Sequence, residues 1–313
     1  MCAGLSFVIS LTNFVRHSIA QSITTFRQPY AVLVDANGHI EDYTVSTNQS
    51  PRAFTNVLQA FRELGVARSL LKILFAVTAF TTDLESWYEV GTCTIDALDL
   101  QKHASLLMYR LLDWYQNNDH ERTDELSPMD SVNQSVCLAT LIFLVNATEP
   151  NAAAFGPRLS KAVIKLRQSL ERAPSLQWSK APSILFWVLT MGALGTSSLK
   201  KGHRRPRSEP ELVFFEQYIK SVFAGNCLDQ PISVEQILDG MRTCLWIPSI
   251  FDERVKSLWM YLELYESWPL ESEDANCSEG EQTVEEEYAL GKSTTLRFFT
   301  MDTSVSGRPS LSR

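Results

Sequence analysis

The sequence predicts an all-α protein, a multi-helix bundle with a small N-terminal β-hairpin and a disordered acidic C-terminal tail. Three observations carry this prediction. Apolar residues recur at helical spacing through most of residues 50–268. The one strong hairpin signal is Asn37-Gly38, which has β-branched and aromatic residues on both sides. Beyond Pro269 the chain turns acidic and then rich in Ser and Thr, a composition typical of disorder.

These compositional boundaries divide the chain into three segments. Residues 1–49 form an N-terminal segment that contains the hairpin signal. Residues 50–268 form the helical domain, and residues 269–313 form the tail. We therefore expect one core, built by the middle segment.

The first helices of the domain have clear ends. Ser50-Pro51 supplies an N-cap and a proline in the first helical position, and Gly65 ends that helix. A second, more apolar helix follows from Ala67 to Tyr88. A third has one apolar face with alternating steps of four and three, which is formed by Leu100, Ala104, Leu107, Leu111 and Trp114.

Two further helices follow in the middle of the chain. Val136 to Val145 is almost continuously apolar, which predicts a helix buried on all sides. The next helix is opened by Gly156-Pro157 and stops before Pro174. Its apolar face is formed by Leu159, Val163, Leu166 and Leu170.

The uncharged run from Ala181 to Leu199 has two interpretations. With a basic cluster after it, it resembles a membrane span with a positive flank. However, the apolar part, Ile184 to Leu194, is well short of the roughly 20 residues that a span needs. We therefore favour a buried core helix and expect no contact with a membrane.

The last two helices are also marked by capping signals. Ser233 and Gln236 form a capping box, and the helix that they open is expected to run through Leu245 and Trp246 to Pro248. Asp252 is expected to cap the final helix. Its apolar side is formed by Val255, Leu258, Trp259, Leu262 and Tyr265.

The net charge of −8 comes from one segment. Residues 271–291 hold eight acids and no Lys or Arg, which leaves 28 acids and 28 bases in the rest of the chain. A neutral body has no general attraction for the phosphate backbone of DNA. Acids mixed with apolar residues are also typical of disordered segments that dock on coactivators, although a purely solubilising tail has the same composition.

No metal, cofactor or catalytic site is predicted. The six cysteines are dispersed, with none within four residues of another, so no local C-x2-C pair can hold zinc. The five histidines form no H-E-x-x-H motif. Gly291-Lys292-Ser293 resembles the end of a phosphate loop, but Glu286 stands where its first glycine belongs. We therefore expect that the chain is not an enzyme.

One dense basic cluster interrupts the neutral body. Gly202 and Pro206 within it disfavour a helix and favour a surface loop, and the cluster is a candidate nuclear-import signal. The alternative is a solvated loop between two helices. Its basic residues are Lys200, Lys201, Arg204, Arg205 and Arg207.

The order of these elements resembles a known family. The aliphatic-aromatic run Val136–Phe143 is followed by the leucine-spaced Arg158–Arg172 and the aromatic Phe186–Leu189. Glu211–Phe223 and the pairs Leu245-Trp246 and Leu258-Trp259 complete the order. Together they resemble the fungal-specific transcription factor domain, the all-helical regulatory region that usually follows a binuclear zinc cluster.

The chain departs from the family pattern at two places. Leu138 stands where an arginine is common, and Phe214-Phe215 replaces a more usual Trp-Phe. The zinc cluster is also missing from this sequence. A gene model that begins downstream of a true first exon is a rival explanation for its absence.

The resemblance implies a nuclear transcription regulator. Its partners would be other transcription regulators or coactivators, and no direct sequence-specific DNA binding is expected. Two other classes stay open: a non-transcriptional helical scaffold, which cytoplasmic location would favour, and a helical protein with a buried small-molecule site, which a co-purifying ligand would favour.

Overall fold

The computed structural model describes residues 17–27, 51–90, 95–118, 127–149, 155–196, 210–226 and 234–262. All regular secondary structure in those ranges is helical, which confirms the predicted fold class. The hairpin expected around Asn37-Gly38 and the tail lie outside these ranges. The helices are α1 (residues 17–25), α2 (Pro51–Leu64), α3 (Arg68–Val90), α4 (Ala97–Asn118), α5 (Pro128–Thr148), α6 (Phe155–Arg172), α7 (Ser175–Trp178), α8 (Pro182–Thr196), α9 (Pro210–Asn226), α10 (Val234–Arg242) and α11 (Pro248–Tyr261).

Two apolar helices form the centre of the bundle. Every residue of α5 from Ser131 to Thr148 is buried, and so is every residue of α8 from Ile184 to Thr196. α5 packs against α4, α6 and α8, while α8 also packs against α9 and α10. Because both helices are surrounded by others, neither has a polar face, and the prediction of two fully buried helices is confirmed.

α5 has the length and the apolar composition of a membrane-spanning helix. Among the described helices, it is the one that is long and apolar enough to cross a bilayer by length and composition. The whole apolar stretch is nevertheless buried inside the bundle, which accounts for its composition. α8, the segment that the sequence singled out, is a shorter apolar helix.

The start of α5 is fixed by a capping box that the sequence reasoning missed. Ser127 Oγ accepts a hydrogen bond from the Met129 backbone N–H, and Asp130 Oδ2 accepts one from the Ser127 N–H at 3.1 Å. Pro128 occupies the first helical position. These contacts satisfy donors that a helix N-terminus otherwise leaves unpaired.

The turn between α2 and α3 has the predicted form. Gly65 follows the last residue of α2 and has a φ of +88°, a backbone conformation that glycine adopts without steric cost. Two residues later the Ala67 N–H donates to Oδ1 of Asn133 at 2.9 Å, which ties the start of α3 to the central helix α5.

The amphipathic helices α4 and α6 bury the predicted faces. All five predicted core residues of α4 and all four of α6 are buried. α6 ends at Arg172, before Pro174, as expected.

The prediction for α10 was wrong at its C-terminal end. The helix ends at Arg242, and Leu245 and Trp246 lie in the connection to α11. Proline disfavours helical geometry in the residue before it, and Ile247 is accordingly extended, with φ −130° and ψ 102°. The expected capping box falls on Ser233, which is outside the described residues.

The prediction that Asp252 caps α11 was also wrong. α11 begins four residues earlier, at Pro248, with Ile247 as the N-cap. Asp252 instead accepts hydrogen bonds from Trp246 Nε1, at 2.7 Å, and from Arg242 Nη2. The carboxylate therefore ties the end of α10 and the connection to the first turns of α11.

Candidate functional site

The predicted import cluster lies in the connection between α8 and α9. Its residues, Lys200 to Arg207, fall between Thr196 and Pro210 and outside the described part of the chain. The candidate import signal therefore stays a prediction.

The two helices that bracket this connection are firmly packed. Phe215 of α9 is fully buried, and its ring lies directly against the backbone of Gly192 in α8. On the adjacent side, the Arg167 guanidinium of α6 lies 5.2 Å from the centre of the Phe214 ring. These contacts hold both ends of the connection in place independently of the basic cluster.

A partly buried polar cluster lies at the C-terminal end of α5. Arg254 of α11 donates from Nη2 to Asn146 Oδ1 at 2.8 Å, and its guanidinium lies 5.9 Å from the centre of the Phe251 ring. Nearby, Tyr88 Oη donates to the Ala147 carbonyl. Burial raises the pKa of Tyr88 to about 12, with a further contribution from Glu149, and burial lowers the pKa of Arg254.

The Nη1 amino group of Arg254 has no hydrogen-bond acceptor in the described part of the chain. Arg254 Nη1 is inaccessible to solvent and finds no hydrogen-bond partner among the described residues. A buried guanidinium donor of this kind can serve an acceptor oxygen of a water or a bound molecule. The sequence predicted no residues for a small-molecule site inside the bundle. It could not point to Arg254, because its partner Asn146 is 108 residues away.

Three tryptophans of the C-terminal helices and their connections are buried in the core. Trp187 and Trp259 have almost no exposure and Trp246 has little. Trp187 Nε1 donates to the Leu245 carbonyl at 2.8 Å, and Trp246 Nε1 donates to Asp252. Trp187 and Trp246 are therefore core residues whose N–H groups have acceptors within the protein.

A second group of basic residues was missed by the sequence reasoning. They follow one face of α6 at steps of three, four and seven residues, which places them in line along the helix. The residues of this α6 basic stripe are Arg158, Lys161, Lys165 and Arg172. The helical spacing could have revealed them, but no two of them are neighbours in sequence.

Part of the α6 basic stripe holds the C-terminal end of α1. Lys161 Nζ donates to the Thr25 carbonyl at 3.1 Å, and Lys165 Nζ lies 5.6 Å from the centre of the Phe26 ring. Gln116 of α4 donates to the Phe26 carbonyl at 3.0 Å. Positive side chains near helix C-termini interact favourably with the helix dipole, so α1 is anchored on α4 and α6.

The described cysteines are buried thiols. Burial raises the pKa of both Cys137 and Cys244, that of Cys244 to about 12, so both stay protonated at neutral pH. Cys137 Sγ donates to the Leu111 carbonyl. Within the described ranges, no three His, Cys, Asp or Glu side chains are grouped so that they could hold a metal ion.

No curated protein and no solved structure matches the chain. A family model, described as the fungal specific transcription factor domain, matches residues 7–218. The match runs from before α1 into α9, so it begins much earlier than the motifs that carried the resemblance, and it leaves out α10 and α11. With two thirds of its length matched, the chain belongs to the fungal-specific transcription factor domain family.

Proposed function

We propose that this chain regulates transcription through protein partners, namely other transcription regulators or coactivators, and does not itself read DNA sequence. The family match over residues 7–218 is the observation that carries the proposal. The described helices support it because their buried faces form a packed core, which leaves their exposed faces for partners.

The charge distribution supports the part of the proposal that concerns DNA. Outside residues 271–291, acids and bases are equal in number, at 28 each. Non-specific DNA binding depends on several Lys or Arg contacts to phosphates with a release of counterions. A balanced body supplies no excess of such contacts, and the acidic segment repels phosphate.

The proposal assigns the chain no catalytic residue, cofactor or metal. The family is a transcription factor domain, and polar groups buried in the bundle take part in its packing. Trp187 and Trp246, for example, each donate to an acceptor within the protein.

The experiment that tests this proposal compares the chain alone with the chain tethered to DNA. Purified chain is expected to bind a random pool of duplex DNA with a Kd of about 10⁻⁴ M or weaker at physiological salt, measured by fluorescence anisotropy. Fused to an unrelated DNA-binding module, it is expected to change the expression of a reporter with the matching site. Sub-micromolar, sequence-selective binding by the chain alone, or an unchanged reporter, contradicts the proposal.

The proposal places the chain in the nucleus, with the Lys200–Arg207 cluster as the import signal. Replacement of its five basic residues by alanine is expected to disperse a fluorescently tagged chain from the nucleus into the whole cell. The fold should not change, because α8 and α9 are held by contacts such as Gly192 against Phe215. Imaging of cells and a thermal unfolding curve measure the two effects separately.

A matched control removes the same amount of positive charge elsewhere. Five exposed bases on other parts of the surface are Arg27, Arg62, Arg68, Lys72 and Lys180. Their replacement by alanine should leave the chain nuclear. A cluster variant that stays nuclear would show that the cluster is only a solvated connection, and exclusion of the wild type would support the scaffold alternative.

A further inference from the structure

The solvent side of α6 combines positive charge with an exposed apolar side chain. α6 has five basic residues and one acid, Glu171, and that acid is paired with Arg167 at 2.8 Å. Arg167 is not part of the α6 basic stripe, so this ion pair neutralises no charge of the stripe. Beside the stripe, Ile164 is 39% exposed.

Among the described residues, the two exposed members of the stripe donate to backbone carbonyls. Lys161 donates to Thr25, and Arg172 donates from Nε to Gln168 of its own helix. Among the described residues, neither has a carboxylate at ion-pair distance, in contrast with Arg167, Lys220 and Arg242. Lys161 and Arg172 are therefore exposed positive charges on this face of α6, in a body that carries 28 acids and 28 bases in all.

The tail of the same chain has the complementary composition. Residues 271–291 carry eight acids and no base. Within them, Glu285, Glu286 and Glu287 stand between Val284 and Tyr288, so three consecutive carboxylates are flanked by apolar side chains. These carboxylates are complementary to the bases of the α6 basic stripe, and their apolar neighbours are complementary to the exposed Ile164.

The connection is long enough to bring the two together. The last described residue of α11 is Leu262, and 23 peptide steps lead from it to Glu285. An extended chain covers up to about 3.3 Å per step, or roughly 75 Å in total. A domain of this size has a radius of gyration of about 17 Å, so the segment can reach any face of the bundle.

We propose that the acidic segment 271–291 docks on the α6 basic stripe of its own chain, with Glu285–Glu287 against Lys161 and Arg172 and with Val284 or Tyr288 on Ile164. Intramolecular attachment favours this occupant, because a tethered segment is present at an effective concentration of the order of millimolar. The inference does not depend on the proposed role in transcription.

The test uses the full chain and a carbodiimide, which joins a lysine amine to a carboxylate only where the two are in contact. Mass spectrometry is expected to find peptides that link Lys161 or Lys165 to residues 271–291. An equimolar mixture of ¹⁵N-labelled and unlabelled chains should give links within one chain only. Links that join labelled to unlabelled peptides would overturn the intramolecular docking in favour of a second copy.

Two variants change the contact from opposite sides. Gln168→Glu with Arg172→Glu adds negative charge to the stripe and leaves both α1-binding lysines in place. The crosslinks are expected to fall about tenfold, since several exposed ion pairs of up to about 1 kcal/mol each are lost or reversed. Glu285→Gln, Glu286→Gln and Glu287→Gln should produce the same loss in the crosslinks to the five remaining carboxylates of residues 271–291, without any change in the bundle.

The control reverses two exposed bases far from α6 in sequence, Arg62→Glu and Lys72→Glu, and should leave the crosslinks unchanged. A salt concentration of about 0.5 M should weaken the crosslinks in the wild type, because exposed charges are screened within a few ångströms there. Equal crosslinking to Lys72 and to Lys161, or insensitivity to the stripe and tail variants, would overturn the proposal.

Discussion

Replacement of Trp187 by alanine is expected to lower the free energy of unfolding by about 3–5 kcal/mol. Trp187 is fully buried in α8, where its ring centre lies 6.1 Å from that of Phe61 and 6.2 Å from that of Phe143. The substitution therefore leaves a cavity between three helices. It also removes the N–H that donates to the Leu245 carbonyl, which is then left without this donor.

Chemical denaturation monitored by far-UV circular dichroism measures this change. Trp187→Phe separates the two contributions, because it keeps an aromatic ring and removes the hydrogen bond. We expect it to cost less than the alanine variant, about 1–3 kcal/mol. Leu176→Ala is a control, since Leu176 is 76% exposed and its replacement should change stability by less than about 0.5 kcal/mol. A loss below about 1 kcal/mol in Trp187→Ala would contradict the packing of α8.

The second large effect is expected at Gly192. A Cβ atom at this position would lie 2.9 Å from Phe215 Cδ1 and closer still to Cε1 and Cζ of the same ring. Phe215 is fully buried, so its ring has no free space into which to move. Gly192→Ala is therefore expected to destabilise the chain by about 1–3 kcal/mol, although alanine is the better helix former.

A double-mutant cycle assigns this loss to the contact between α8 and α9. Phe215→Leu removes the ring edge that the new methyl group would overlap. The double variant should therefore be more stable than the sum of the two single changes predicts, with a coupling of about 0.5–3 kcal/mol. Simple additivity would show that Gly192 is not in close contact with Phe215.

The helices that the sequence predicted correctly have either a helical period with signals at the ends or continuous apolar character. Pro51 and Gly65 mark the two ends of α2, and the apolar residues between them repeat at helical spacing. α5 and α8 were predicted from continuous apolar character, which a fully buried helix requires. The fold class followed from these elements alone.

The connection between α10 and α11 could not be predicted in the same way. Leu245 and Trp246 continue the apolar spacing of α10, so periodicity extended the helix too far. They are buried in the connection because other helices supply their partners, Trp187 for the Leu245 carbonyl and Asp252 for the Trp246 N–H. Such tertiary contacts override local spacing and are not visible in sequence.

The candidate surfaces show the same contrast. The Lys200–Arg207 cluster is contiguous and is found at once in the sequence. The α6 basic stripe is spread over fifteen residues, from Arg158 to Arg172, and only the helical arrangement aligns it. The pairing of Arg254 with Asn146 requires the folded bundle, because the two residues belong to helices far apart in sequence.

The position of α5 along the chain has a consequence for synthesis on the ribosome. α5 precedes α6 and α8, two of the helices that cover it. The 48 residues from Thr148 to Thr196 take about 2–10 s to translate. At the start of that interval the most apolar long helix has α3 and α4 but neither later partner to pack against, and α8 is complete only at its end. The nascent chain is therefore most prone to aggregation then, and a chaperone that binds apolar segments would act on α5 before the C-terminal half of the domain exists.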